Sequence, residues 1–307
     1  PAIAPSSPDL PLVPSILAGP AEGWSGFPSL VAHRIGAGPA RLPMRIHRTA
    51  LTQQDDRSVS ITLLAHDDHG PLLTVGWHAR LSPEGVVIIA LDARAGAAEG
   101  VELQRLAATL PVPARATDLL DFSGLWAGER RPQRGTVRDG LHLRDQRRGR
   151  PGHDAPFLTV LGTPGFGFRS GEVWALHHAW SGNSTTGVES LPTGHRRLLA
   201  AELLDPAEVV LAPGETYTAP ETVLSWSNVG LDGLSDRLHP FVRALTPPAH
   251  RPVVLNTWEA VYFDHALDSL LPLVAAAADL GIERFVLDDG WFAGRTDDRR
   301  ALGDWTV

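Results

Sequence analysis

From Arg45 onward the sequence is written in short runs dense in β-branched and aromatic residues, each closed by a turn signal. The runs fall at 45–52, 58–65, 72–81, 86–92, 101–110, 157–161, 173–180, 196–204 and 217–226. No long helical pattern separates them, so their apolar faces can be buried only against one another. That predicts antiparallel β-structure folded as a large sandwich. Within one run, Leu73, Val75, Trp77 and Ala79 alternate with Thr74, Gly76 and His78, the pattern of a half-buried strand. Residues 1 to about 43 are rich in proline and glycine, which predicts irregular covering structure. Between Trp126 and His153 the chain is dense in arginine (Arg130, Arg131, Arg134, Arg138 and onward). An anion-binding patch and a solvated face or loop both fit; a solvated face, balanced by the acidic excess elsewhere, is the simpler reading.

The pattern changes at Asn228. Leu234, Leu238, Phe241, Val242 and Leu245 recur at helical spacing with Pro240 among them, and Pro247-Pro248 then ends the helix. This puts a domain boundary between residues 1–249 and 250–307. Beyond it, Val253-Val254-Leu255 suits a buried strand, and Asp264 is placed to cap a helix carrying Leu267, Leu270, Leu271, Val274 and Ala278. Gly281 fits the C′ position, and Phe285-Val286-Leu287 makes a second strand. Strand, helix, strand in this order is a βαβ unit with parallel strands.

Composition narrows the chemistry. The 307 residues contain no cysteine and no lysine, which removes thiolate sites, Schiff-base chemistry and a phosphate-binding lysine from this chain. A net charge of -8 gives no electrostatic reason to bind nucleic acid. No apolar run approaches the ~18 residues of a membrane span. Pro1 in place of an initiating methionine, and an end at Thr306-Val307 just after Gly303-Asp304-Trp305, predict a chain cut at both ends. A cytoplasmic location is the expectation.

Asp288-Asp289 is the most informative pair. In α/β architectures ligands meet the C-terminal ends of parallel strands, and both carboxylates stand where such a strand ends. The competing reading is a strand-ending Asp-Gly turn, with Asp289 capping locally and Asp288 paired with an arginine. Trp258, Trp291 and Trp305 fall near strand ends or following loops, and nine tryptophans stand against two tyrosines. Aromatic faces with hydrogen-bond-accepting carboxylates suit a carbohydrate, although indoles also fill cores. Elsewhere, His66-Asp67-Asp68-His69 reads as a polar hairpin turn before Gly70-Pro71, more than as a metal cluster. His177 and His178 point to opposite faces of one strand, so they cannot share a metal. Asn183-Ser184-Thr185 forms a glycosylation sequon, and no serine lies in a G-x-S-x-G elbow.

Taken together, Arg251 to Asp264 (RPVVLNTWEAVYFD), Leu280-Gly281-Ile282-Glu283 and Phe285 to Phe292 (FVLDDGWF) closely resemble glycoside hydrolase family 36, the microbial α-galactosidases. The likeness continues through Arg295, Asp297-Asp298 and Leu302-Gly303-Asp304-Trp305. It extends more loosely to His153–Phe157, Gly171–Trp174, Ala179–Asn183 and Leu211–Glu215. The resemblance implies a mainly β chain: an N-terminal β-supersandwich followed by the first βαβ of a (β/α)8 barrel. It also implies that the parent protein is a homo-oligomeric retaining α-galactosidase that takes α-galactoside oligosaccharides and needs no cofactor or metal. Asp288 and Asp289 would hydrogen-bond a terminal galactosyl unit, Trp258 would wall the sugar, and Trp291 is a further contact. The family's nucleophile and acid/base lie on later barrel strands, so none of the residues present is expected to be catalytic. Two related outcomes remain open, an α-N-acetylgalactosaminidase or a transglycosylase of the raffinose-synthase kind. A third is a sandwich that binds sugar without catalysis.

Overall fold

The computed structural model describes residues 17–19, 24–35, 44–53, 58–67, 72–155, 157–246 and 249–307. It divides into two compact units, Pro1–Leu245 and Thr246–Val307. The strands of the first unit are β1 (Leu30–Arg34), β2 (Met44–Gln53), β3 (Val59–Asp67), β4 (Leu73–Leu81), β5 (Val87–Ala95), β6 (Val101–Leu106), β7 (Ala108–Val112), β8 (Asp118–Leu125) and β9 (Gly128–Thr136). They continue as β10 (Gly140–Gln146), β11 (Thr159–Gly162), β12 (Val173–His178), β13 (Ser184–Ser190), β14 (Arg196–Glu202), β15 (Val209–Leu211), β16 (Thr216–Thr218) and β17 (Thr222–Ser227), before helix α1 (Gly230–Leu245).

Three sheets result. The largest runs β2-β3-β4-β5-β17-β12-β11-β8-β9 with β16 added on β5; the smaller two are β10-β13-β14-β7 and β1-β6-β15. Every pairing within them is antiparallel. One core lies between the large sheet and the smaller ones: Leu73, Val75, Leu91, Leu161 and Leu176 meet Val101, Leu103, Val112, Val188 and Leu198. This is the expected sandwich. The alternation in β4 holds, with Leu73, Val75 and Ala79 buried. On its other face the His78 ring bonds Asp92 at 2.7 Å across Gly76, where a Cβ would stand 2.2 Å from the Asp92 carboxylate.

Helix α1 covers the large sheet's outer face. Leu234 packs on Val160, Val173 and Ala175, and Phe241 packs on Val86 and Ile88. Burying two such side chains gains about 1.5–3 kcal/mol each, enough to offset the ~3 kcal/mol a proline costs inside a helix. The helix accordingly runs through Pro240.

Several expectations need correction. The 101–110 run is two strands, because the chain changes sheets at Ala107, whose amide bonds Ser29 instead of continuing β6. The 217–226 run is likewise split, β16 and β17 both pairing with β5. The Pro/Gly-rich start is not wholly irregular: β1 pairs with β6. The arginine-dense stretch is the solvated face anticipated, built as strands β9 and β10 whose residues are mostly exposed. In the second unit, Asp264 does not cap the long helix. That helix starts after Ala266, and Asp264 Oδ1 accepts the Ala266 amide at 3.3 Å. Asp68 and His69 of the His66–His69 turn lie outside the described residues. Among the described residues no helix is long and apolar enough to cross a membrane, and no three His, Asp or Glu side chains group as metal ligands.

His177 is exposed and His178 is buried, on opposite faces as read. Burial, with a smaller push from His177, lowers the His178 pKa to about 4. Between the ordinary value near 6.5 and 4 the unfolded chain therefore binds a proton that the folded chain does not. The stability this group supports is present above about pH 6.5 and is lost as the pH falls toward 4. Over that window the loss attributable to His178 is roughly 3 kcal/mol. Urea unfolding at pH 7 and pH 4 checks this: His178→Gln is expected to lose that much less than the parent chain, and identical losses would refute it.

Candidate functional site

The second unit holds β18 (Val254–Asn256), the short helix α2 (Trp258–Val261), α3 (Leu267–Asp279) and β19 (Arg284–Val286). The two strands pair in parallel, Asn256 opposite Val286, so the βαβ reading is realised. Gly281 at φ 77° closes α3 in the left-handed region that glycine adopts freely.

At the C-terminal ends of the two strands the backbone is tied by side chains. The Thr257 amide bonds Val286 O at 3.0 Å, and its buried hydroxyl accepts the Asp288 amide at 3.1 Å. Asn256 works in both directions: Nδ2 donates to Asp288 Oδ2 at 2.6 Å, and Oδ1 accepts the amide of Trp258, the first residue of α2, at 2.8 Å. Asp288 Oδ1 accepts the Asp289 amide at 2.7 Å. Asp288 is thus held by neutral donors, with its carboxylate part-exposed at the strand end.

Asp289 has a different setting. Arg295 grips it with both arms, Nε to Oδ1 at 2.8 Å and Nη2 to Oδ2 at 2.7 Å, while Nη1 holds Arg300 O at 2.7 Å. The Arg295 hydrogen bonds are the main cause holding the Asp289 carboxyl below its ordinary range, with a small pull from His265 last. Asp289 therefore stays ionised; its Oδ1 also accepts the Gly290 amide at 3.1 Å, so Oδ2 is the oxygen with a lone pair left for a further donor. Of the two sequence readings of the pair, the arginine contact exists but belongs to Asp289, not Asp288. The chain turns directly afterwards at Gly290, φ 98°, where a Cβ would lie 2.9 Å from Phe263 Cα. Only glycine fits that turn.

The tryptophans divide. Trp258 is part-buried, its indole edge-on to Tyr262 and Phe263 at 5.3 and 5.0 Å between centroids. Trp291 is exposed and edge-on to Phe292 at 5.1 Å. Two residues that position the pair, Asn256 and Arg295, were not singled out by sequence reasoning. Asn256 had a detectable signal, since it ends the strand that a parallel partner must place beside Asp288. Arg295 lies in the stretch that carries the family resemblance, but its role was not legible, because its reach back to Asp289 depends on the loop's path.

The model described as the Glycosyl hydrolase family 36 N-terminal domain matches residues 3–212, and the Melibiase model matches residues 216–307, which marks the class as glycoside hydrolase. The chain belongs to glycoside hydrolase family 36. It is 36% identical to an alpha-galactosidase of Escherichia coli over 304 residues, 97% of this chain and 41% of that protein. It superposes on the crystal structure of the alpha-galactosidase from Lactobacillus brevis with a TM-score of 0.81 at 28% identity, covering 92% of this chain and 41% of that one. A variant of alpha-galactosidase AgaA from Geobacillus stearothermophilus, solved in complex with raffinose, matches with a TM-score of 0.82 at 26% identity, covering 92% and 42%. The chain thus spans about two fifths of the length of these relatives.

Proposed function

We propose that the whole protein is a retaining exo-α-galactosidase that releases terminal α-linked galactose from oligosaccharides, and that residues 1–307 supply sugar-binding groups but no catalytic pair. Asp288, presented at a parallel strand end with neutral donors behind it, is the observation that carries the reading. A carboxylate so placed accepts hydroxyl hydrogen bonds without an adjacent cation competing for it. Asp289 accepts through the remaining lone pair of Oδ2 and fixes the loop through Arg295. Trp258 and Trp291 offer ring faces for the C–H face of the sugar. Complexes of the Geobacillus relative with raffinose and stachyose support galactosyl oligosaccharides as the substrate class.

Retaining hydrolysis needs two carboxyl groups about 5–5.5 Å apart across the scissile bond, one of them carrying a proton. Asp289, kept ionised by Arg295, is a poor acid, and Asp288 is tied to the Asp289 backbone rather than set across from it. The purified 307-residue chain is therefore expected to release nothing from a chromogenic α-galactoside, whereas the whole protein releases galactose with retained anomeric configuration. Turnover by the chain alone, or inversion by the whole protein, would contradict the proposal. The whole protein is further proposed to be a homo-oligomer working in the cytoplasm, which light scattering and cell fractionation test.

A further inference from the structure

A cleft of about 490 Å³ opens in the sandwich, lined by residues of β9, β10, β12 and β13 and by Pro151–His153, Ala155 and Phe157. It belongs wholly to the first unit and contains none of the residues discussed above as galactose contacts. Its floor is unusual. Gln146, His178 and Thr186 line it and are each more than nine-tenths buried, and each has one fully enclosed polar atom without a partner among the described residues: Oε1, Nε2 and Oγ1 respectively. Their other groups are used. Gln146 Nε2 donates to Arg150 O at 2.9 Å, and His178 Nδ1 pairs with the Thr222 hydroxyl at 3.1 Å. Three unpartnered polar atoms on residues of one wall are costly to leave dry, so the wall suits something that hydrogen-bonds.

The mouth carries two aromatic rings, Phe157 and Trp180, both two-fifths exposed. Phe157 is fixed by stacking on Phe122 at 4.9 Å and by the Arg130 guanidinium 4.8 Å above its ring. The charges argue against an anion. Arg130 is engaged on that ring and Arg144 donates to Asp154 O at 3.0 Å, while the Glu129 carboxylate, held below its usual range chiefly by backbone amides, faces the same space. An anion would meet Glu129. With small side-chain rotations that turn these enclosed atoms toward the cleft, a neutral molecule whose groups both donate and accept would satisfy Gln146 Oε1 as acceptor and serve His178 Nε2 and Thr186 Oγ1 in either role. Ring faces at the mouth and mixed hydrogen-bonding groups on the floor together describe a sugar site.

We propose that this cleft is a second carbohydrate-binding site, on the sandwich and separate from the strand-end carboxylates, that takes a neutral mono- or oligosaccharide. Occupation would anchor a polymeric or oligomeric substrate without cleaving it. The site stands independently of the hydrolytic reading, since it uses no residue of the second unit.

The test is calorimetric titration of the full 307-residue chain with galactose and with raffinose, in an Asp288→Ala background that silences the strand-end site. Saturable, millimolar binding with quenching of tryptophan emission is expected. Trp180→Ala and the near-isosteric Thr186→Val should each weaken it by about tenfold. Trp180 is exposed enough that its loss should leave the fold intact, which circular dichroism verifies. Absence of saturation at tens of millimolar overturns the proposal, as does binding that is indifferent to both variants. Binding by the chain that disappears in the whole protein also overturns it, by showing that the cleft is covered by other protein.

Discussion

Replacing Arg197 with alanine is expected to remove about 3–5 kcal/mol of folding stability, or to abolish soluble expression. Arg197 is the largest fully buried side chain in the structure, and its partner Glu189 is equally enclosed, with 2% and 3% of the side chains exposed. Nε bonds Glu189 Oε2 at 2.6 Å, Nη2 donates to Phe27 O, and the guanidinium lies 4.3 Å from the Trp24 ring centroid. Glu189 Oε1 accepts the Phe27 amide in turn. One ion pair therefore pins the segment before β1 onto strands β13 and β14. Alanine at 197 leaves a carboxylate and the Phe27 carbonyl stranded where water cannot reach, and that uncompensated burial is the source of the loss. With total stability of order 5–15 kcal/mol, the variant sits near the limit of folding. The surface pair Arg169–Asp232, at 3.2 Å with side chains 90% and 49% exposed, supplies the contrast. Arg169→Ala should cost under about 1 kcal/mol. Urea denaturation followed by circular dichroism measures both, and equal midpoints for the two variants would show that the buried pair is not holding that segment.

That pair also shows what the sequence could and could not disclose. The strands with apolar alternation, β4 and β5 above all, are legible because period-two burial is a local property. Arg197 and Glu189 sit in strands too, but nothing local says that an arginine and a glutamate face inward; only the arrival of Phe27, 170 residues away in sequence, makes the pair possible. Strands β9 and β10 escaped for the opposite reason. Their exposed, arginine-rich residues carry no burial pattern, and their strand conformation comes from pairing with β8 and β13. From β6 to β7 the sequence runs on without a glycine or other turn signal before Pro111, so a change of sheets at Ala107 leaves no trace in composition. The candidate site was legible as a position, a parallel strand leading into Asp288-Asp289 with Gly290 forcing the turn, although the strands expected to be buried are exposed or half-buried in this chain. The division of labour between the two carboxylates was not, because it depends on where the loop to Arg295 returns.

That division yields the other large effect. In the whole protein, Asp288→Ala is expected to lower kcat/KM for an α-galactoside by a hundredfold or more, with little change in thermal stability. Hydrogen bonds from sugar hydroxyls to a carboxylate contribute about 1.5–3 kcal/mol each, so losing two reaches about that factor. The groups left behind, Asn256 Nδ2 and the Asp289 amide, lie near solvent and can bond water instead. Asp289→Ala should behave differently. Arg295 has only 6% of its side chain exposed, and Asp289 is its one carboxylate partner, so the guanidinium would remain with only Arg300 O to bond. Activity and melting temperature should then fall together, because the loop from Gly290 to Arg300 loses the contact that closes it. Conservative replacement sharpens the distinction. Asp289→Asn keeps one acceptor for Arg295 and should recover part of the stability, whereas Asp288→Asn, retaining one acceptor oxygen but no charge, should recover activity only slightly. If Asp288→Ala proves as destabilising as Asp289→Ala, Asp288 is a structural residue of the strand end, and the sugar contacts must be sought elsewhere.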